Sequence, residues 1–227
     1  MAQILSGSDI SAEMRAEMKD EVARLKMNHS LTPGLAVVLV GDDPASISYI
    51  KGKRKACKSI GLHSVEHNLT ATQPESDLLS LIQNLNEDPV IHGILVQLPL
   101  PDGFDEQRVL NLISPDKDVD GLHPVNLGKL VRGEPGFLPC TPHGVQQMLK
   151  RGGLEVEGKH VVIVGRSTLV GRPLANILSQ KSETANATVT ICHTGTRDLA
   201  FHTRQADILI VVAGRPNTVT DDMVAEN

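Results

Sequence analysis

Short apolar runs alternate with helix-like stretches along the 227 residues, and this alternation restricts the fold more than any other feature of the chain. GLAVVLVG at 34–41 and HGILVQ at 92–97 are bounded by turn residues, a pattern typical of strands buried on both faces of a parallel sheet. Parallel strands need crossover connections, which helices usually supply. The sequence therefore predicts an α/β fold with parallel sheets.

The order of the elements predicts two domains. In the first series we expect helices at 8–27, 44–60 and 75–86, and strands at 34–41, 63–69 and 92–97. In the second series we expect strands at 160–164, 188–192 and 207–212, and helices around 170–181 and 196–203. Ser8 or Asp9 is available to cap the first helix. Residues 114–136 should form an ordered loop with short elements, and 142–151 a connecting helix. We expect one domain over 1–141 and another over 142–227.

Charge and cysteine content exclude several classes of protein. The net charge of −5 gives no support for a nucleic-acid binder. Cys57, Cys140 and Cys192 lie far apart without metal-ligand spacing, so we expect reduced, mostly buried thiols and no metal site. The N-terminus lacks the basic and apolar regions of a signal peptide, and no run approaches the roughly 18 apolar residues of a membrane span. We therefore expect a cytoplasmic protein.

The segment KHVVIVGRSTLVGRP at 159–173 places a buried strand directly before a glycine turn and the start of a helix. A dinucleotide-binding site requires this context. Gly165 lets the chain turn tightly off the strand, and Gly171 lets a phosphate or the sheet approach the backbone. The spacing is GxxxxxG rather than GxGxxG, so an ordinary strand–helix turn remains an alternative.

The end of the next strand favours NADP over NAD. NAD sites usually carry Asp or Glu there, whereas this strand ends in Cys192-His193-Thr194. Arg166 and Arg172 lie in the phosphate turn, and a guanidinium suits a 2′-phosphate. Alternatively, Arg172 is a solvated helix residue.

Tyr49 and Lys53 are four residues apart on a predicted helix and share one face. A partly desolvated lysine beside an aromatic ring can serve as acid or base. Gln97 follows a buried strand, at the sheet edge where ligands gather in α/β folds. The alternatives are a core tyrosine, a surface lysine and a glutamine that caps a loop.

Asp118 and Asp120 lie in the segment DKDVDG. A carboxylate can accept two parallel hydrogen bonds from the ring N–H and amino group of a pterin. Asp-Gly is also common in turns, so the turn interpretation stays open for both residues.

Five collinear segments resemble the bifunctional methylenetetrahydrofolate dehydrogenase/methenyltetrahydrofolate cyclohydrolase family. They are SYIKGKRKAC (48–57), ILVQLPLP (94–101), PDKDVDGLHPVNLG (115–128), FLPCTPHGV (137–145) and VVIVGRSTLVGRP (161–173). The resemblance implies a folate-binding catalytic domain, a Rossmann-like NADP-binding domain and a cleft between them.

The resemblance also implies roles for matched positions in the first domain. Lys53 corresponds to the catalytic lysine, Tyr49 to the tyrosine that packs against the folate, and Gln97 to the glutamine that hydrogen-bonds the lysine. Asp120 corresponds to the aspartate that anchors the pterin. Leu98 and Pro99, in the matched segment ILVQLPLP, are expected to bind substrate.

In the second domain, Gly165, Arg166, Ser167 and Gly171 match the cofactor turn. His193 and Thr194 lie where the family contacts the adenosine 2′-phosphate, and Thr194 stands where many relatives have serine.

The function implied is oxidation of methylenetetrahydrofolate to methenyltetrahydrofolate with NADP, followed by hydrolysis to 10-formyltetrahydrofolate. These reactions belong to one-carbon metabolism and support purine and amino-acid biosynthesis. The resemblance further implies a homodimer formed through the cofactor domains. A shikimate-dehydrogenase-like enzyme and a non-catalytic nucleotide-binding protein are the rival hypotheses. Because the family continues with another strand and a Pro-Gly-Gly-Val-Gly-Pro segment beyond Asn227, we expect a shortened form of the family's chain.

Overall fold

The computed structural model describes residues 4–225 and divides them into two compact units. One unit is Ser6–Asn126, and the other contains the chain from Leu127 onward together with residues 4 and 5. Each unit contains a three-stranded parallel sheet with helices between its strands. The predicted α/β class is confirmed. None of the described helices is both long enough and apolar enough to cross a membrane.

The first unit is built around a sheet of order β2-β1-β3. Its elements are α1 (Gly7–His29), β1 (Gly34–Val40), α2 (Pro44–Ile60), β2 (His63–Leu69), α3 (Glu75–Glu87), β3 (Gly93–Val96), α4 (Glu106–Leu112) and the start of α5 (Pro124–Arg132). The division between the units falls inside α5.

The second unit is built around a sheet of order β5-β4-β6. Its further elements are α6 (Cys140–Arg151), β4 (His160–Val164), α7 (Gly171–Leu178), β5 (Thr188–Cys192), α8 (Leu199–Thr203), β6 (Ile208–Val211) and a 3₁₀ turn at Asp221–Met223.

Helix starts and short helices differ most from the predictions. The cap of α1 is Ser6, not Ser8 or Asp9, because Ser6 has extended backbone angles and its Oγ accepts from the Asp9 N–H at 3.3 Å. The sequence pattern did not predict α4, and α5 occupies part of the expected loop at 114–136. Both are short, so tertiary contacts rather than a long periodic pattern stabilise them.

The core of each unit lies on both faces of its central strand. Along β1, Ala36, Val38 and Val40 pack into one apolar cluster, and Val37 and Leu39 pack into another on the opposite face. Along β4, alternate residues divide between two clusters in the same way. Burial of a valine side chain stabilises the fold by about 1.5–3 kcal/mol. These central strands therefore hold the neighbouring elements that pack against them in position.

Local signals define α2 at both ends. The Oδ2 atom of Asp43 accepts from the Ser46 N–H at 2.8 Å, and this hydrogen bond lowers the pKa of the Asp43 carboxyl. Pro44 fills the first turn, where a missing N–H costs nothing. Gly61 ends the helix in the left-handed conformation at φ 85°. The predicted bounds of this helix are therefore correct.

The DKDVDG segment folds around Asp118, which is 2% exposed. Its carboxylate accepts hydrogen bonds from the N–H of Leu122 at 3.3 Å, the N–H of His123 at 2.8 Å and Nδ2 of Asn126 at 2.9 Å. The Nζ atom of Lys117 donates to the carbonyls at the end of α3, Leu85 at 3.0 Å and Asp88 at 2.8 Å. Lys117 and Asp118 therefore stabilise the folded conformation of this loop.

Asp118→Ala should lower the free energy of unfolding by about 2–4 kcal/mol, because it removes the acceptor of one buried and two partly buried hydrogen bonds. Urea denaturation followed by circular dichroism measures this change. Asp116→Ala is the matched control, since Asp116 is exposed in the same segment. Equal stability of the two variants would contradict the structural role of Asp118.

Candidate functional site

Two residues of α2, Tyr49 and Lys53, meet Gln97 at one edge of the first sheet, although Gln97 lies 44 residues beyond Lys53 in the chain. The Nζ atom of Lys53 donates to Oε1 of Gln97 at 3.3 Å and lies 4.9 Å from the centre of the Tyr49 ring. Lys53 is half-buried, whereas Tyr49 is 64% exposed. The alternative of a core tyrosine is therefore wrong, and the exposed ring is free to pack against a flat ligand.

Two further hydrogen bonds fix the orientation of Gln97. Its Nε2 atom donates to the Leu98 carbonyl at 2.7 Å, and its backbone N–H donates to the Val38 carbonyl at 2.9 Å. The amide nitrogen is thus engaged, and Oε1 remains to accept from Lys53. This arrangement holds the lysine amine at a defined point.

A surface groove of about 580 Å³ runs along the exposed face of α2 beside this group. It is lined by Tyr49, Lys53 and four small residues, Ala45, Ser48, Gly52 and Ala56. Because these four side chains are small, they leave room for a ligand ring to approach both the Tyr49 ring and the Lys53 amine.

Asp120 lies in a turn that directly follows a single bridge to β3. Asp118 forms this parallel bridge with Ile94, and the Gly121 N–H donates to the Asp118 carbonyl at 3.1 Å, so the chain turns at Asp120. A side chain on Gly93 would clash with Val119, because a methyl group there would lie 2.4 Å from its Cγ1. This close packing holds the segment before Asp120 against the start of β3. The carboxylate of Asp118 is taken up by the hydrogen bonds of the loop.

Leu98 and Pro99 continue from Gln97 through a cis peptide bond. Leu98 is half-buried and Pro99 is exposed, so both lie beside the lysine group at the end of β3.

A second pocket, of about 320 Å³, lies at the carboxyl edge of the sheet in the other unit. Five of the six predicted cofactor residues line it: Gly165, Arg166, Ser167, His193 and Thr194. The remaining lining residues are Val164, Leu199, Val212, Ala213, Gly214, Arg215 and Thr218. The phosphate turn and the end of β5 therefore meet in one cavity, as the sequence predicted.

Gly171 serves the packing of the turn rather than the pocket wall. A methyl group at Gly171 would lie 2.1 Å from the Gly165 carbonyl oxygen, so only glycine permits this approach. Gly165 itself has φ 139°, a conformation that favours glycine. The Oγ atom of Ser167 accepts from the Val170 N–H at 3.1 Å and stabilises the entry to α7.

The charges of this second pocket fit a phosphate. Arg166 and Arg215 are cationic, and the described lining residues include no carboxylate. The ring Nδ1 of His193 accepts from the Gly195 N–H at 3.0 Å, which leaves Nε2 as a donor. Arg172 is exposed and does not line the pocket, as its alternative interpretation expected.

The residues that follow β6 were not among the predicted cofactor residues. Val212, Arg215 and Thr218 line the second pocket, and the segment AGRPN after the apolar run 207–212 was the available signal. The carboxyl ends of parallel strands share one edge, so this segment could have been placed beside Gly165. Within residues 4–225 no cluster of His, Cys, Asp and Glu could hold a metal ion.

Family models match both units of the chain. The catalytic domain of tetrahydrofolate dehydrogenase/cyclohydrolase matches residues 5–120, and its NAD(P)-binding domain matches residues 139–227. The bifunctional protein FolD of Dehalococcoides mccartyi is 58% identical over 225 residues, which cover 99% of this chain and 76% of that protein. The FolD of Syntrophus aciditrophicus is 55% identical over 225 residues, with the same coverage.

Solved structures agree with these matches. The bifunctional FolD methylenetetrahydrofolate dehydrogenase/cyclohydrolase of Campylobacter jejuni is 47% identical with a TM-score of 0.93, covering 98% of this chain and 77% of that one. The FolD of Trypanosoma brucei, complexed with NADP cofactor and inhibitor, is 34% identical with a TM-score of 0.91, covering 99% of this chain and 76% of that one.

These matches agree with the two-domain α/β fold and with the group formed by Lys53, Gln97 and Tyr49. They also agree with a nucleotide pocket whose described lining residues include no carboxylate. The chain therefore belongs to the tetrahydrofolate dehydrogenase/cyclohydrolase family, and it is an enzyme that oxidises methylenetetrahydrofolate with NADP and hydrolyses methenyltetrahydrofolate.

Proposed function

We propose that Lys53 is the acid–base residue of the hydrolytic step and that Tyr49, Gln97 and Asp120 hold the folate around it. The observation that carries this proposal is the position of the Lys53 Nζ atom, 3.3 Å from Oε1 of Gln97 and 4.9 Å from the centre of the Tyr49 ring. A lysine that served only as a solvated charge would need neither contact. We assign residues 1–141 to the folate-binding domain and residues 142–227 to the cofactor domain, although the two compact units divide between Asn126 and Leu127.

Hydrolysis requires two proton movements. Water adds to the methenyl carbon, and its oxygen becomes the formyl oxygen. One water proton ends on the ring nitrogen whose bond to that carbon breaks, and the other is released. The Lys53 amine takes the proton from the attacking water and delivers it to the departing nitrogen, a role that general acid–base catalysis gives to a positioned side chain.

The other folate residues position the ring system. Asp120 accepts hydrogen bonds from the pterin, Tyr49 packs against the folate, and Leu98 and Pro99 border the reacting carbon. Bound NADP supplies the oxidising power for the dehydrogenase step, so the protein's own contribution there is orientation. Lys53 is therefore less important for oxidation than for hydrolysis.

The second pocket binds NADP. Gly165 and Gly171 create a tight turn for the pyrophosphate, Ser167 orders that turn, and Arg166, His193 and Thr194 receive the adenosine 2′-phosphate. Two guanidinium groups and the lack of a carboxylate among the described lining residues support this assignment. A carboxylate at the end of β5 would instead favour NAD.

We further propose a cytoplasmic homodimer formed through the cofactor domains. The three cysteines are free thiols, as the reducing cytoplasm maintains them. Ile191 on the edge strand β5 is 37% exposed and Phe201 on α8 is 58% exposed, which supports an apolar contact surface on this unit.

Lys53→Met should reduce the cyclohydrolase rate by about 10²-fold or more, the usual effect of losing an acid–base group. Dehydrogenase activity should fall much less, because methionine fills a similar volume and oxidation needs only positioning. Steady-state kinetics of both reactions measure the difference. Lys55→Met, an exposed lysine of the same helix, is the control and should retain both rates. A near-normal cyclohydrolase rate in Lys53→Met would require another base.

Asp120→Asn should weaken folate binding and so raise the KM of both reactions by about tenfold, the value of one charged hydrogen bond. A circular dichroism spectrum like that of the wild type checks that the variant is folded. If only one of the two reactions changed, Asp120 would not be the common folate anchor.

Sedimentation equilibrium should give about twice the chain mass of 24.4 kDa. Replacing Ile191 with Lys should shift the protein toward the monomer, because a charge in an apolar interface is costly. A wild-type protein that stayed monomeric at micromolar concentration would refute the proposed dimer.

A further inference from the structure

Arg215, on the loop that follows β6, shares the nucleotide pocket with the phosphate turn. The sequence pattern singled out Arg166 and Arg172 as phosphate ligands, but only Arg166 lines the pocket. Arg215 is thus a second guanidinium at this site, supplied by a different strand end.

The loop that carries Arg215 is held firmly against the phosphate turn. The Val212 N–H donates to the Val164 carbonyl at 2.9 Å, which extends the β4–β6 pairing past the end of the strand. A methyl group on Gly165 would lie 2.7 Å from Cγ2 of Val212 and 2.8 Å from its carbonyl oxygen. The loop and the turn are therefore in direct contact.

A hydrogen-bonded turn then fixes the direction of the chain after Val212. The Oγ1 atom of Thr218 donates to the Arg215 carbonyl at 2.8 Å, and Asn217 takes the left-handed conformation at φ 55°. The backbone of Arg215 is thereby anchored at the pocket rim, so only its side chain needs to be ordered when it binds a ligand.

The Arg215 guanidinium is available for an anion. It forms no ion pair with any carboxylate among residues 4–225, and the twelve lining residues of the pocket include no acid. The cavity of about 320 Å³ is at the lower limit of small-molecule sites, which span roughly 300–1,000 Å³. It therefore fits the adenosine half of the dinucleotide rather than the whole cofactor.

We propose that Arg215 determines cofactor specificity, because its guanidinium binds the 2′-phosphate of NADP from the β6 side of the pocket while Arg166 binds it from the β4 side. Guanidinium groups suit phosphate because they donate two parallel hydrogen bonds and keep their charge. A single arginine at this rim would be solvated and would bind the phosphate weakly, whereas two arginines from different strand ends contact the phosphate from two sides. This inference rests on the proposed NADP site and adds a specificity-determining residue to it.

Calorimetric titration of the full chain with adenosine 2′,5′-bisphosphate and with 5′-AMP tests the proposal without turnover. Arg215→Gln should weaken binding of the bisphosphate by about tenfold and change the affinity for 5′-AMP by less than about twofold, because only the bisphosphate carries the 2′-phosphate. Arg215→Lys should recover part of the loss, since it restores the charge but not the paired geometry. Arg172→Gln is the matched control and should change the affinity for neither ligand.

Kinetics give a second readout. In Arg215→Gln the KM for NADP should rise while that for NAD and the cyclohydrolase rate stay unchanged, which also shows that the variant is folded. An equal loss for both nucleotides, or no loss for either, would overturn the role of Arg215. If the wild-type protein bound the bisphosphate no more tightly than 5′-AMP, the proposed 2′-phosphate site itself would fail, and Arg215 with it.

Discussion

Parallel hydrogen bonding of one central strand to two neighbours is the constraint on which both sites depend. In the first unit β1 pairs with β2 and β3, and in the second β4 pairs with β5 and β6. Because parallel strands all end at the same edge, their following loops are brought together there. Gln97 after β3 therefore lies near α2, and the loops after β4, β5 and β6 form one pocket.

The helix α2 shows how one element serves both the core and the site. Its inner face buries Ile50, Cys57 and Ile60, and burial raises the pKa of the Cys57 thiol, so this cysteine is a packing residue. Its outer face presents Tyr49 and Lys53. Since the buried face cannot rotate, the lysine is held where it meets Gln97, 44 residues further along the chain.

Sequence patterns located the elements better than they assigned individual roles. Alternation and turn residues predicted the bounds of α2, β2, β4 and β5, because caps and glycine stops are local signals. DKDVDG contains three aspartates, and the motif by itself does not show which of them is buried. The structure shows that Asp118 is enclosed by donors from residues 122–126, whereas Asp120 lies in the turn that follows. Likewise, Arg166 and Arg172 looked alike, but the helical turn places only Arg166 on the pocket.

The sequence by itself determined the α/β class, the parallel sheets, the family and the identity of the lysine, tyrosine and glutamine group, because periodicity, capping and collinear motifs are written along the chain. The tertiary structure alone decided which polar groups are used up by the fold and which line a pocket. It assigned Asp118 to the loop, Gly171 to packing against Gly165, and the segment after β6 to the nucleotide pocket. The physical reason is that burial and hydrogen-bond saturation depend on residues distant in sequence, which meet only when the sheets form.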